Sequence, residues 1–290
     1  MSAVDVLLRL RAQAGARTLG TPVPRAREPD YVAPTHGDAA REAEALVERL
    51  RAALARRAYH RDMEQLPGMQ STAVPDFDLG ERIAPGLRLL QIDYPDPQAT
   101  SIDLPWLEQT GVARADLAAF DIETTGMNAG VGVRAFLVGI ADWCDDRLRV
   151  RQLLLESPAG EPHQLALLRE WLLSKRVLLS YNGKSFDVPM MNGRYPLFGQ
   201  AAPFADLAHL DLLTIVRRQL KDRLSNCKLG TVEREWLGLI RQHDLPSAEV
   251  PGAWRDWIRL GRDDRLKRAI AHHRQDVISL WQILNRLLAV

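Results

Sequence analysis

The chain has 290 residues, 46% of them hydrophobic, with 38 Lys and Arg against 37 Asp and Glu and a net charge of +1. That balance excludes a uniformly basic nucleic-acid binder, so any contact with a polyanion must be local. The two cysteines, Cys144 and Cys227, exclude a disulfide framework and a zinc cluster. With no apolar run of membrane-spanning length and no signal-peptide pattern at the N-terminus, the expectation is a cytoplasmic protein without a membrane partner.

Residues 1–115 read as an N-terminal extension. Val4, Leu7, Leu8 and Leu10 suggest a short amphipathic helix. Pro22, Pro24, Pro29 and Pro34, with Gly20 and Gly37, read as a linker. Asp38 can cap a helix to about Tyr59 that carries Leu46, Val47, Leu50 and Leu54 on one side. Two apolar runs between Gly80 and Asp96 flank Ala84, Pro85 and Gly86 and predict a hairpin at the edge of a larger sheet.

From Leu117 the pattern becomes α/β. Strands are predicted over 117–122, 135–143 and 148–155, the last two joined by a tight turn at Cys144 to Arg147. A helix over 162–174 carries Leu165, Leu168, Trp171 and Leu172. A strand follows over 177–180, then a helix from about Ser185. Further helices are predicted over 211–223, 228–237 and 251–260, and a final one to about 288.

The most informative segment is Phe120-Asp121-Ile122-Glu123-Thr124-Thr125-Gly126. Asp121 and Glu123 are two apart, so on a strand they share one face. Two adjacent carboxylates on a buried strand repel each other and are costly to desolvate, and a divalent cation removes that cost. Tyr181-Asn182-Gly183-Lys184-Ser185-Phe186-Asp187 follows the 177–180 strand, and His272-His273-Arg274-Gln275-Asp276 lies within the last helix. Taken singly, Asp187 could be a helix N-terminal charge, and Asp276 a surface acid paired with Arg274 or Lys267.

In order, these three segments resemble the exonuclease motifs of the DEDD superfamily, which has the ribonuclease H-like fold. The resemblance is closest to bacterial ribonuclease H-like exonucleases of the YprB type. It extends to the segments Cys227 to Glu233 and Pro251 to Asp276, and covers about residues 115–290. It implies a mixed β-sheet flanked by helices over 116–290. It also implies a metal-dependent 3′→5′ exonuclease acting on single-stranded DNA or RNA ends, with two Mg²⁺ or Mn²⁺ ions held by Asp121, Glu123, Asp187 and Asp276. On this resemblance Asp121 bridges the ions and Glu123 holds the one nearer the attacking water. Asp187 acts on the second ion or through water, and Asp276 completes the site.

One form of that family has a histidine five residues before the last Asp, and the other a tyrosine four before it. Here Ala271 is five before, and His272 stands four before Asp276. A helix brings His272 and Asp276 to one face, so His272 is the expected general base, while His273 turns about 100° away. Asn182 and Lys184 are expected at the substrate. Arg217, Arg218 and Lys228, within a basic cluster that also holds Lys221 and Arg223, can follow a phosphate backbone, although a charge run can equally be a solvated face. Asp211 reads as a helix cap. Trp143, Tyr181 and Phe186 could stack on a base but read first as core. A helicase partner is a further expectation. Two alternatives stand beside the exonuclease: a structure-selective endonuclease on the same fold, and a non-catalytic nucleic-acid binding module.

Overall fold

The computed structural model describes residues 78–289, apart from 97, 99, 127–131 and 243. The helices and linker expected before Gly80 lie outside the described residues. The described elements run β1 (Glu81–Ala84), β2 (Leu87–Pro95), β3 (Ser101–Leu104), β4 (Gln109–Ala113), β5 (Leu117–Thr124), β6 (Ala135–Cys144) and β7 (Arg147–Leu155). Then follow α1 (Glu161–Leu173), β8 (Val177–Ser180), α2 (Asp187–Arg194), β9 (Ala208–Asp211), α3 (Leu212–Leu220), α4 (Leu229–Val232), α5 (Val250–Leu260) and α6 (Asp264–Leu288).

Seven strands form one mixed sheet in the order β1-β2-β7-β6-β5-β8-β9. β5, β6 and β7 are joined antiparallel by short connections, and β8 and β9 add in parallel to β5. This is the ribonuclease H-like α/β architecture that the motifs imply. The hairpin of β1 and β2 lies on the β7 edge, with β2 paired antiparallel from Leu87 opposite Leu155 to Pro95 opposite Arg147. The main sheet therefore begins at Glu81.

Both faces of the central strands are covered, which is why β5 and β6 read as near-continuous apolar runs rather than alternating ones. Ala118, Phe120 and Ile122 pack with Leu165, Leu168 and Trp171 of α1. Leu117 and Ala119 pack with Val277, Ile278 and Trp281 of α6.

Three features differ from the sequence expectations. β3 and β4 form a separate two-stranded sheet, whose Ile102, Leu104 and Val112 join the α6-side core. β9 is a four-residue strand running directly into α3; it takes strand form because it pairs with β8, which local periodicity does not register. The helix expected over 228–237 is four α-helical residues followed by a wider π turn over Glu233–Leu237.

Candidate metal centre

β5, β8 and β9 run parallel and end on one side, and ligands of α/β sheets bind at such carboxyl ends. β5 delivers Asp121 and Glu123 there. A register shift against β6 between Glu123 and Thr124 marks a bulge at the rim of the site, where bulges re-aim side chains. The loop after β8 delivers Asp187, which opens α2. Helix α6 packs on the Asp121 face of the sheet and delivers His272 and Asp276.

The four acids and His272 are brought together. Asp187 and Asp276 are buried, and Asp121 is 22% exposed at its side chain. One donor atom each from Glu123, His272 and Asp276 lies within 4.8 Å of the others. Burial, then the neighbouring Asp187, Asp276 and Glu123, push the Asp121 carboxyl well above the carboxylate range, against the pull of Arg241. Burial and Asp276 raise Glu123 to about 8, opposed by His272. Burial likewise raises Asp187, although backbone N–H groups of Asp187 itself and of Ile122 oppose it. Buried carboxylates that repel one another to this degree need a proton or a cation. The donor set, hard carboxylate oxygens with one imidazole, fits a divalent cation.

The cation on Asp276 Oδ1 is Arg241. The carboxylate accepts there from Nη2 of Arg241, and Lys267 pairs with Asp263. Arg241 is itself held by Glu233, which is 1% exposed and also accepts from the Ser279 hydroxyl. His272 presents Nε2 at 3.4 Å from Asp276 Oδ2, while its Nδ1 lies 2.7 Å from Asp244 Oδ1. Burial lowers the His272 pKa, but the hydrogen bond to Asp244 and the charge of Asp276 outweigh it, so the net shift is upward.

His273 turns the other way, as helical spacing predicts, and is fully buried. Its Nδ1 accepts from Gln152 Nε2 at 2.9 Å, and its Nε2–H donates to the Asp121 carbonyl at 3.1 Å, a tautomer assigned from that network. The ring lies over Gly139, where a Cβ would stand 2.4 Å from Cε1. Asp121, Gly139 and Gln152 are consecutive cross-strand partners on β5, β6 and β7, so one imidazole ties α6 to the strand that carries the acids.

The loop from Asn182 to Asp187 is also held from below. The Asp211 carboxylate accepts from the backbone N–H of Asn182 at 2.8 Å, of Lys184 at 3.1 Å and of Leu213 at 3.1 Å, so it caps α3 and anchors the loop together. Asn182 sits at φ 68, a left-handed conformation that Asn tolerates better than most residues. Gly183 approaches Ser180 so closely that a Cβ would lie 2.6 Å from its Oγ.

Asn182 and Lys184 are exposed on this loop, and Lys184 is near enough to His209 to add to the lowering of its pKa by burial. Arg217, Arg218 and Lys228 are also exposed; their side chains make no hydrogen bond or ion pair among the described residues. Burial raises the Tyr181 phenol pKa, and Arg217 is near enough to oppose that rise. Tyr181 is half-buried, with its hydroxyl on the Cys227 carbonyl at 2.7 Å. Trp143 is core, with Nε1 on the Asp96 carbonyl. Phe186 is not core: it is 37% exposed.

Sequence reasoning missed Arg241, Asp244, Gln152 and the roles of Glu233 and His273. Nothing local marks Arg241 or Asp244, since their partners lie about 30 residues away on α6. Gly139 was detectable, because a lone glycine inside a strand run signals close approach by another element.

A buried carboxylate cluster at the ends of parallel strands in this sheet defines a ribonuclease H-like protein with a candidate metal centre. The chain belongs to the RNase_H superfamily, whose pattern it matches over residues 118–288. It is also similar to the "Uncharacterized protein YprB" of Bacillus subtilis (strain 168), with 37% identity over 177 residues, 60% of this chain and 42% of that protein. The match thus spans less than half of the relative's length. No helix among the described residues is long and apolar enough to cross a membrane.

Proposed function

We propose that the protein is a metal-dependent nuclease of the DEDD type, hydrolysing phosphodiester bonds from the 3′ end of single-stranded DNA or RNA. The observation that carries this reading is the convergence of Asp121, Glu123, Asp187 and Asp276 from three separate elements, with three of the carboxyls held above their ordinary range. A binding module has no need to gather four mutually repelling acids, two of them buried, and this favours catalysis. Two divalent ions, Mg²⁺ or Mn²⁺, held by these four acids would supply a nucleophilic water and stabilise charge on the phosphoryl and leaving oxygens.

The chain's own groups do the rest. Asp121 feels the charge of all three other acids and suits a shared ligand. His272 faces Asp276 and can orient a water or accept its proton. Lys184 and Asn182, on the anchored loop, are available to the terminal nucleotide. Arg217, Arg218 and Lys228 supply a local cationic surface for the strand on a chain of net charge +1. Residues 1–115 would act as an extension that adds an edge hairpin and recruits a partner, for which a helicase is the candidate.

The test is a time course on 5′-labelled single-stranded DNA and RNA with Mn²⁺, Mg²⁺ or chelator, for the wild type and Asp121→Asn. The expected result is a metal-dependent ladder shortening from the 3′ end, reduced about a thousandfold or more in a variant that still folds. Cleavage of circular substrate would replace the exonuclease with an endonuclease. Retained activity in folded Asp121→Asn would remove the metal assignment.

A further inference from the structure

We infer that His272 is itself a ligand of the metal centre through Nε2, which makes the site a mixed nitrogen–oxygen site that prefers Mn²⁺ to Mg²⁺. This rests on the reading above that the acid cluster holds divalent cations, and goes beyond it by replacing an all-oxygen donor set; because a metal-bound imidazole has no lone pair left for a proton, it also replaces the role of His272 as proton acceptor.

Three observations lead there. The donor atoms of Glu123, His272 and Asp276 lie within 4.8 Å of one another, and Nε2 of His272 is 3.4 Å from Oδ2 of Asp276. Adjacent donors about 2.1 Å from one small ion are about 3 Å apart, so little movement is needed for both to share it.

The second observation lies outside the cluster. Asp244, from the segment before α5, stands 2.7 Å from Nδ1 of His272. Nη1 of Arg241 also approaches Nδ1, at 3.1 Å, but the carboxylate is the nearer partner. A hydrogen on Nδ1 donated to Asp244 leaves the Nε2 lone pair on the side of Asp276 Oδ2, with the Ser247 hydroxyl also 3.4 Å away. A carboxylate on the far ring nitrogen is the arrangement that orients metal-bound imidazoles and raises their basicity.

The third is the state of Asp276. Arg241, locked by the buried Glu233, occupies its Oδ1, so Asp276 offers one oxygen. The imidazole supplies the donor that a bidentate carboxylate would otherwise provide. Mg²⁺ takes oxygen donors and tolerates imidazole poorly, whereas first-row transition ions accept it.

The experiment uses the full chain. Mn²⁺ and Mg²⁺ are titrated calorimetrically into wild type, His272→Gln and Asp244→Asn, and the Mn²⁺ form is examined by pulsed electron paramagnetic resonance for nitrogen hyperfine modulation. The expected result is nitrogen modulation in wild type, lost in His272→Gln, and Mn²⁺ affinity lowered about tenfold or more in both variants. Mg²⁺ affinity should change much less. Mn²⁺ bound without nitrogen modulation, at equal affinity in His272→Gln, overturns the inference and leaves the carboxylate site standing. Folded wild type that binds neither ion overturns both. Nitrogen-ligated Mn²⁺ in a protein that cuts no nucleic acid supports the ligand and removes the nuclease.

Discussion

At the scale of single residues, adjacent histidines on one helix have opposite roles because a helix turns about 100° per residue. His272 faces the acids, whereas His273 is buried and bonded at both nitrogens to Asp121 and Gln152. The Asp121 backbone is thus tied to α6 by a ring that fits only because position 139 has no side chain. Gly139→Ala should destabilise the fold by about 1–3 kcal/mol, the usual cost of overpacking a core. A double-mutant cycle by chemical denaturation checks the cause. The penalty should largely vanish in a His273→Ala background, and an equal penalty there would mean that another contact is responsible.

At the scale of elements, the site is a meeting of three strand ends and one long helix, and its least regular part is the loop between β8 and α2. Asp211 bonds two backbone N–H groups of that loop while capping α3, which couples the position of Lys184 to the end of β9. Asp211→Asn should therefore speed hydrogen exchange in the 181–187 segment by about tenfold or more, since losing about 1.4 kcal/mol of local protection corresponds to that factor. Exchange across α6 should not change. An unaltered loop would leave Asp211 as a helix cap alone, the role that its position in the sequence suggested.

At the scale of the whole molecule, burying the acids carries a linkage cost. Asp121, Glu123 and Asp187 bind protons more tightly folded than unfolded, so the native state retains protons that the unfolded chain has released. Stability of the metal-free protein must then fall as pH rises from the ordinary carboxylate range toward about 8, the value for Glu123. His272, raised by Asp244, adds in the same direction above its ordinary value of 6.5. His273, which burial lowers to about 4, acts oppositely but only below 6.5. Between pH 6.5 and 8 the melting temperature of chelator-treated protein should drop by about 5 °C. Glu123→Gln should flatten that slope, and saturating Mn²⁺ should reverse it, because metal binds the deprotonated groups. A flat profile without metal would show that the acids are better solvated than their burial indicates.

Much of this protein was legible in the sequence because its signals are local. Alternation of Asp121 and Glu123 within an apolar run, the turn-forming Tyr181 to Asp187 segment, and the i, i+4 spacing of His272 and Asp276 each depend on neighbours in the chain; they marked which side chains could meet, and the family resemblance they carry implied the mixed sheet. What only the tertiary structure decided depends on partners far apart in the chain. Arg241 occupies one oxygen of Asp276, Asp244 and Arg241 both meet Nδ1 of His272, and Gly139 yields its space to His273. The short strands β3, β4 and β9 belong with these, since four or five residues carry too little pattern to reveal pairing that tertiary contacts supply. The sequence by itself determined which groups could do chemistry; packing of α6 on the sheet decided which were neutralised, which were oriented, and which were only structural.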